Sequence, residues 1–135
     1  MYILIFSNTG GLVVARILIV DDSLFIRTKI GEAVKNAGFE VIGFATNGQE
    51  AVESYLQLKP DLMLLDITMP LKDGLTALRE IKGIHPEAKI IMLSAMTQDN
   101  VVNEAVQYGA LDFIEKPVHD HQIIKALERI FSLQD

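Results

Sequence analysis

Leu62-Met63-Leu64-Leu65-Asp66-Ile67-Thr68-Met69-Pro70 runs four apolar residues straight into one carboxylate and then toward a proline. A continuous apolar run of that length, closed by turn residues, reads as a strand covered on both faces. Four more short β-type runs flank it: Ile17-Leu18-Ile19-Val20 and Phe39 to Ala45 before it, Lys89 to Leu93 and Asp112-Phe113-Ile114 after it. Helix-length segments fill the intervals. Strands alternating with helices predict an α/β domain on a five-stranded parallel sheet, with helices on both faces.

The first predicted helix sets Phe25/Ile26, Ile30, Ala33, Val34 and Ala37 at helical spacing and ends at Gly38. The second opens on Asn47-Gly48-Gln49-Glu50, a capping-box arrangement, and stops before Pro60. A third follows Asp73-Gly74 with Leu75, Leu78 and Ile81 on one side, and Gly74 reads as a turn residue that needs positive φ. A fourth runs from Asp99 to Tyr108 with few apolar positions. The fifth, from Asp120 to Leu133, carries Ile123, Ile124, Leu127, Ile130 and Phe131 on one stripe.

Residues 1–14 stand outside this rhythm. They read either as an extra edge strand, Tyr2 to Phe6, turned by Thr9-Gly10-Gly11, or as an extension upstream of the natural start. The second reading is preferred here, because Gly10-Gly11 can be encoded by a purine-rich, ribosome-site-like stretch and Val14 by GTG. The expected division is an N-terminal extension over residues 1–14 and one domain over residues 15–133, with no linker or second hydrophobic core read after it.

Composition narrows the function. At 135 residues, half of them hydrophobic, the chain suits one compact domain. The absence of Cys excludes a disulfide framework, thiolate zinc, an iron–sulfur cluster and a cysteine nucleophile, and it fits a reducing cytoplasm. A net charge of -6 argues against nucleic acid and anionic membranes as partners. No apolar run approaches the ~20 residues of a bilayer span, and Met1 to Phe6 lacks the basic leader of a signal peptide.

Five polar residues follow strand ends: Asp21 and Asp22 after the first, Asp66 after the third, Ser94 after the fourth, Lys116 after the fifth. In an open parallel sheet the carboxyl ends of the strands line one edge, where ligands bind. Three carboxylates brought together repel and call for a cation. Oxygen ligands without His or Cys suit a hard divalent ion, Mg²⁺ first, with Mn²⁺ as the alternative. Lys116 then supplies a compact positive charge, Ser94 a hydroxyl donor, and Asp66, alone at the end of the central run, a carboxylate nucleophile for phosphoryl transfer.

Together, Ile17-Leu18-Ile19-Val20-Asp21-Asp22-Ser23, Asp66-Ile67-Thr68-Met69-Pro70, Asp73-Gly74, Ser94-Ala95 and Lys116-Pro117 resemble the receiver domain of bacterial and archaeal two-component response regulators. The resemblance covers Arg16 to Phe131. It implies a doubly wound, flavodoxin-like sheet of order 2-1-3-4-5. It further implies that Asp66 accepts a phosphoryl group from a histidine kinase, that Asp22, Asp66 and the Thr68 main-chain carbonyl ligate Mg²⁺, and that Asp21 acts through water. Ser94 and Lys116 would bind the phosphoryl oxygens, the Lys116–Pro117 bond would be cis, and Phe113 would be a switch aromatic. Phe113 lacks the hydroxyl of the Tyr common in several chemotaxis members. Thr68 and Met96 fall where the family tunes water access to the phosphoryl group.

Asp66 to Pro70, Ser94 to Gln98 and Gly109 to Ile114 most resemble free-standing CheY-type chemotaxis regulators. The partners so implied are a CheA-like histidine kinase and a motor-switch or phosphatase protein. The latter would meet a monomer at its fourth helix, fifth strand and fifth helix. Two alternatives stay open: a phosphorelay intermediate or fragment of a larger regulator, and an Asp-nucleophile phosphohydrolase. The hydrolase reading suffers from Thr68, which stands where that family has a second Asp.

Plainer readings also exist. Asp22 or Ser23 can be a helix N-cap, Ser94 a strand-ending hydroxyl, Lys116 a surface cation and Phe113 an ordinary core aromatic. His119-Asp120-His121 invites a zinc reading, but a solvated helix start explains it better.

Overall fold

The computed structural model describes residues 4–6, 12–95 and 98–131. The turn read at Thr9 to Gly11, Met96, and the end of the last helix at Ser132 and Leu133 lie outside the described residues. β1 (Leu4–Phe6) and β2 (Leu12–Val14) pair antiparallel as a separate two-stranded ribbon, Leu4 opposite Val14. The strand read at the N-terminus therefore pairs within its own hairpin instead of adding an edge to the main sheet.

The main sheet contains β3 (Arg16–Val20), β4 (Glu40–Ala45), β5 (Leu62–Asp66), β6 (Ile90–Ser94) and β7 (Asp112–Glu115). All neighbours are parallel and the order is β4-β3-β5-β6-β7, which is 2-1-3-4-5 when the five are counted from β3. Between the strands run α1 (Leu24–Asn36), α2 (Gly48–Leu58), α3 (Gly74–Ile84) and α4 (Asp99–Gln107), and α5 (Asp120–Ile130) closes the fold.

Alternation along β3, β5 and β6 explains why these three runs are apolar throughout. Ile17, Ile19, Leu62, Leu64, Ile91 and Leu93 face one layer, where Ile30 and Val34 of α1 meet Ile123 and Leu127 of α5. Leu18, Val20, Met63, Leu65, Ile90 and Met92 face the other, against Val52 and Tyr55 of α2, Leu78 and Ile81 of α3, and Val101 and Ala105 of α4. Both faces of these three central strands are dry, so neither face tolerates a polar side chain there, whereas the edge strands β4 and β7 keep exposed positions at Glu40, Phe44 and Glu115.

Local chemistry sets the helix ends. The Ser23 hydroxyl accepts the Ile26 N–H at 3.3 Å and the Asp73 carboxylate accepts the Thr76 N–H at 2.8 Å, each capping the helix that follows. At α2 the capping box is displaced by one residue. Asn47 accepts the Glu50 N–H at 2.8 Å, but the Glu50 carboxylate returns to the N–H and hydroxyl of Thr46, at 2.8 and 2.7 Å.

The reading of Gly74 needs correction. The described glycines with positive φ are Gly38 and Gly109, whereas Gly74 is the first residue of α3. What excludes a side chain there is crowding: a Cβ on Gly74 would lie 2.8 Å from the Asp66 carbonyl carbon and from the Ile67 Cα, and closer still to the Asp66 carbonyl oxygen. The left-handed residue of this loop is Leu71, with φ 68.

Candidate functional site

The strand order reverses beside β3, and there the carboxyl ends of β3 and β5 open a crevice. Asp66 ends β5 with 3% of its surface exposed, and Asp21, which follows β3, is fully buried. Asp22 is exposed at the rim. Carboxylate oxygens of Asp21, Asp22 and Asp66 all lie within 4.8 Å of one another. Lys116, just past β7, sends its Nζ between two of them, 2.7 Å from Asp21 Oδ2 and 3.1 Å from Asp66 Oδ1.

Main-chain bonds hold these groups in place. The Lys116 N–H donates to the Ser94 carbonyl at 2.8 Å, and the Ile67 N–H to the Leu93 carbonyl at 3.1 Å, so the ends of β5, β6 and β7 are tied together. Ser94 is 1% exposed at the end of β6, the strand beside Asp66. The Lys116–Pro117 bond is cis. Thr68 sits exposed in the loop after β5. Phe113 on β7 is half-buried, opposite Met92 in register and packed on the layer that contains α4.

Burial pushes the Asp66 carboxyl up to about 6; the Asp21 charge adds to the rise, Lys116 opposes it, and Asp22 raises it slightly. Burial alone would lower the Lys116 ammonium, but the hydrogen bond and charge of Asp21 and the charge of Asp66 outweigh it and hold the group above its ordinary value. One ammonium thus faces up to three negative charges. That imbalance, together with an all-oxygen donor set, fits a hard divalent cation.

Two neighbouring surfaces are apolar. A hollow of about 230 Å³ beside Lys116 is lined by Phe25, Ile26, Ile30, Pro117 and Val118. Leu24 and Phe25 stand exposed at the start of α1. On α4 and ahead of β7, Val106 and Leu111 are also exposed.

A family model for the response regulator receiver domain matches residues 17–128. The chain belongs to the response regulator receiver domain family. This receiver is 50% identical over 115 residues to the chemotaxis protein CheY of Thermotoga maritima, covering 85% of this chain and 96% of that one. A chain of the CheX–CheY–BeF3–Mg complex from Borrelia burgdorferi matches with a TM-score of 0.85 at 34% identity, over 92% of each chain. The response regulator domain of Thermotoga maritima CheB matches with a TM-score of 0.77 at 36% identity, over 88% of this chain and 94% of that one. The receiver is thus homologous to CheY chemotaxis response regulators and related to CheB receiver domains. No helix among its described residues is long and apolar enough to cross a membrane.

The receiver brings Asp21, Asp22, Asp66 and Lys116 together, with Ser94 on the neighbouring strand. Two features lay beyond sequence reasoning. One is the Lys116–Asp21 ion pair, formed across 95 residues. The other is Arg27, whose guanidinium donates to the Asp21 main-chain carbonyl at 2.8 Å. Its place one turn into the helix after the acidic pair was the available signal.

Proposed function

We propose that this receiver, taken as residues 15–133 with residues 1–14 outside it, is the switch of a chemotaxis pathway, phosphorylated on Asp66. The observation that carries the reading is the buried Asp66 carboxylate held 3.1 Å from Lys116 and beside two further carboxylates. An Asp66 oxygen attacks the phosphorus of a kinase phosphohistidine, the P–N bond breaks, and the imidazole keeps the bonding pair. Lys116 stays between Asp66 and the charge arriving on the phosphoryl oxygens, and the Ser94 hydroxyl donates to one of them. In self-hydrolysis water attacks the same phosphorus, the P–O bond to Asp66 breaks, and the residue returns to a carboxylate as inorganic phosphate leaves.

Asp22, Asp66 and the Thr68 main-chain carbonyl would hold Mg²⁺ or Mn²⁺, which supplies charge neutralisation for carboxylates and phosphoryl oxygens alike. Asp21 keeps one oxygen on the Ser23 N–H at 2.9 Å and the other on Lys116, which favours a water-mediated role. The movement of Ser94 toward the phosphoryl group would let Phe113 turn inward and change the α4–β7–α5 face, where Val106 and Leu111 are already exposed.

The partners are a CheA-like histidine kinase as donor and a motor-switch or phosphatase protein as reader, all in the cytoplasm, with the receiver as a monomer. Incubation with an autophosphorylated chemotaxis kinase should move the label to wild type and leave Asp66→Ala unlabelled. The phosphorylated or beryllium-fluoride-trapped form should then retain a motor-switch partner at least about tenfold better than the untreated form, an energy difference of about 1.4 kcal/mol. Equal retention of both forms, with onward transfer of the label to a histidine phosphotransfer protein, would contradict the chemotaxis reading in favour of a relay.

A further inference from the structure

Asp21 has a partner on each of its polar atoms. Its N–H donates to the Ala45 carbonyl at 3.1 Å, Oδ1 accepts the Ser23 N–H at 2.9 Å, and Oδ2 accepts Lys116 Nζ at 2.7 Å. The remaining atom, its carbonyl oxygen, accepts from Arg27 Nη1 at 2.8 Å. Arg27 is half-buried on the first turn of α1, and its own N–H donates back to the Ser23 carbonyl at 3.0 Å. The side chain therefore closes a loop: helix α1 starts at the acidic turn, and its guanidinium reaches back to grip the same turn. Its charge also reaches Glu50 of α2, whose carboxyl is lowered first by its bonds from Thr46 and, least, by Arg27.

The geometry points to Arg27 as a positioning residue for the acidic pocket. It fixes the main chain between Asp21 and Asp22, so that Asp21 stays turned inward to Lys116 while Asp22, the next residue, stays at the rim. Without the tether, the carbonyl of the peptide linking the two carboxylates loses its side-chain partner, and the turn can tilt within its remaining bonds, so that their oxygens lose the common approach that a divalent ion needs. This inference rests on the phosphoacceptor reading above and adds a residue that touches neither metal nor phosphoryl group.

Two physical effects of removing Arg27 have opposite signs, which makes the test decisive. As a mere nearby charge, the guanidinium repels a cation, so its loss would tighten metal binding. As a positioning residue, its loss weakens binding, and outer-shell partners of metal ligands are typically worth about tenfold or more in affinity. Mn²⁺ titration of the full chain without phosphodonor, followed by the spin-resonance signal of the free ion, measures this directly. Arg27→Ala should bind Mn²⁺ about tenfold more weakly than wild type. Arg27→Lys should recover part of the loss, and Lys29→Ala, which removes the same charge two residues on from otherwise wild-type protein, should bind no more weakly than wild type.

A second readout separates positioning from general damage. At saturating metal, the phosphorylation rate of Arg27→Ala with acetyl phosphate should come within about threefold of wild type, well under the effect on affinity. Unchanged or tighter Mn²⁺ binding in Arg27→Ala overturns the inference while leaving the phosphoacceptor reading intact. Failure of the wild type itself to bind Mn²⁺ overturns both. Should Arg27→Ala fail to fold, as urea unfolding in EDTA would show, Arg27→Lys carries the comparison: affinity equal to wild type then overturns the inference.

Discussion

Replacement of Asp66 by Asn is expected to make the metal-free protein more stable while abolishing phosphorylation. The Asp66 carboxyl sits at about 6 in the folded protein against 3.8 for an ordinary aspartate, chiefly because burial disfavours its charge. A raised carboxyl means that the folded state binds the extra proton between those two values. Stability from this group is therefore fully present below pH ~4 and is lost as pH rises through ~6. At pH 7.5 the ionised group costs about 3 kcal/mol. Asn carries no charge and leaves Lys116 on Asp21. In EDTA at pH 7.5, Tm of Asp66→Asn should exceed wild type by about 5–10 °C. The gap should shrink as pH falls toward 4.5, and Mg²⁺ should raise the wild type more than the variant. Equal Tm values at both pH values would mean that the pocket stores no such strain.

Gly74→Ala is expected to damage the site from a distance of eight residues along the chain. The new methyl would meet main-chain atoms of Asp66 and Ile67, none of which can rotate away as a flexible side chain would. The Gly74 N–H is bonded to the Ile67 carbonyl at 2.7 Å, so α3 is clamped to the end of β5 and relief must come from moving one of them. Either shift displaces the Asp66 carboxylate. Overpacking of this kind costs about 1–3 kcal/mol or more. A misplacement approaching 1 Å should slow phosphorylation by about 100-fold. Gly83, in the same helix, has nothing within 4 Å of where its Cβ would stand. Gly83→Ala should therefore stabilise the protein by about 1 kcal/mol and leave phosphorylation unchanged. Urea unfolding and acetyl phosphate kinetics on the pair check the contrast, and similar behaviour of the two variants would contradict it.

β3, β5 and β6 were legible because the two-sided burial of a parallel sheet leaves a plain mark, unbroken apolar runs closed by polar residues; the edge strands β4 and β7, with exposed Glu40, Phe44 and Glu115, leave only short β-type runs. Asp21, Asp66, Ser94 and Lys116 stood out for the same reason, each ending such a run. Harder to read was what these residues do to one another. Strand-end position alone did not tell Asp21 from Asp22, and only the family resemblance gave the first a water-mediated and the second a direct metal role; one is fully buried and the other exposed, because the turn between β3 and α1 sends adjacent side chains to opposite sides. The contact that assigns Lys116 to Asp21 spans 95 residues, and no local pattern encodes it. Gly74 was attributed to backbone conformation when the cause is the closeness of the main chain at the end of β5, a fact of tertiary packing. The Glu50 carboxylate passed over Asn47 for Thr46, a one-residue displacement that the capping pattern does not resolve.

The central claim is that Asp66 is a phosphoacceptor that works with a divalent ion. Intact-mass analysis after incubation with acetyl phosphate, with and without Mg²⁺, on wild type and Asp66→Ala tests it most directly. The account predicts one added phosphoryl group, present only when both the metal and Asp66 are present. A wild type that gains no phosphoryl group and also fails to bind beryllium fluoride, or an adduct that persists in Asp66→Ala, would contradict it.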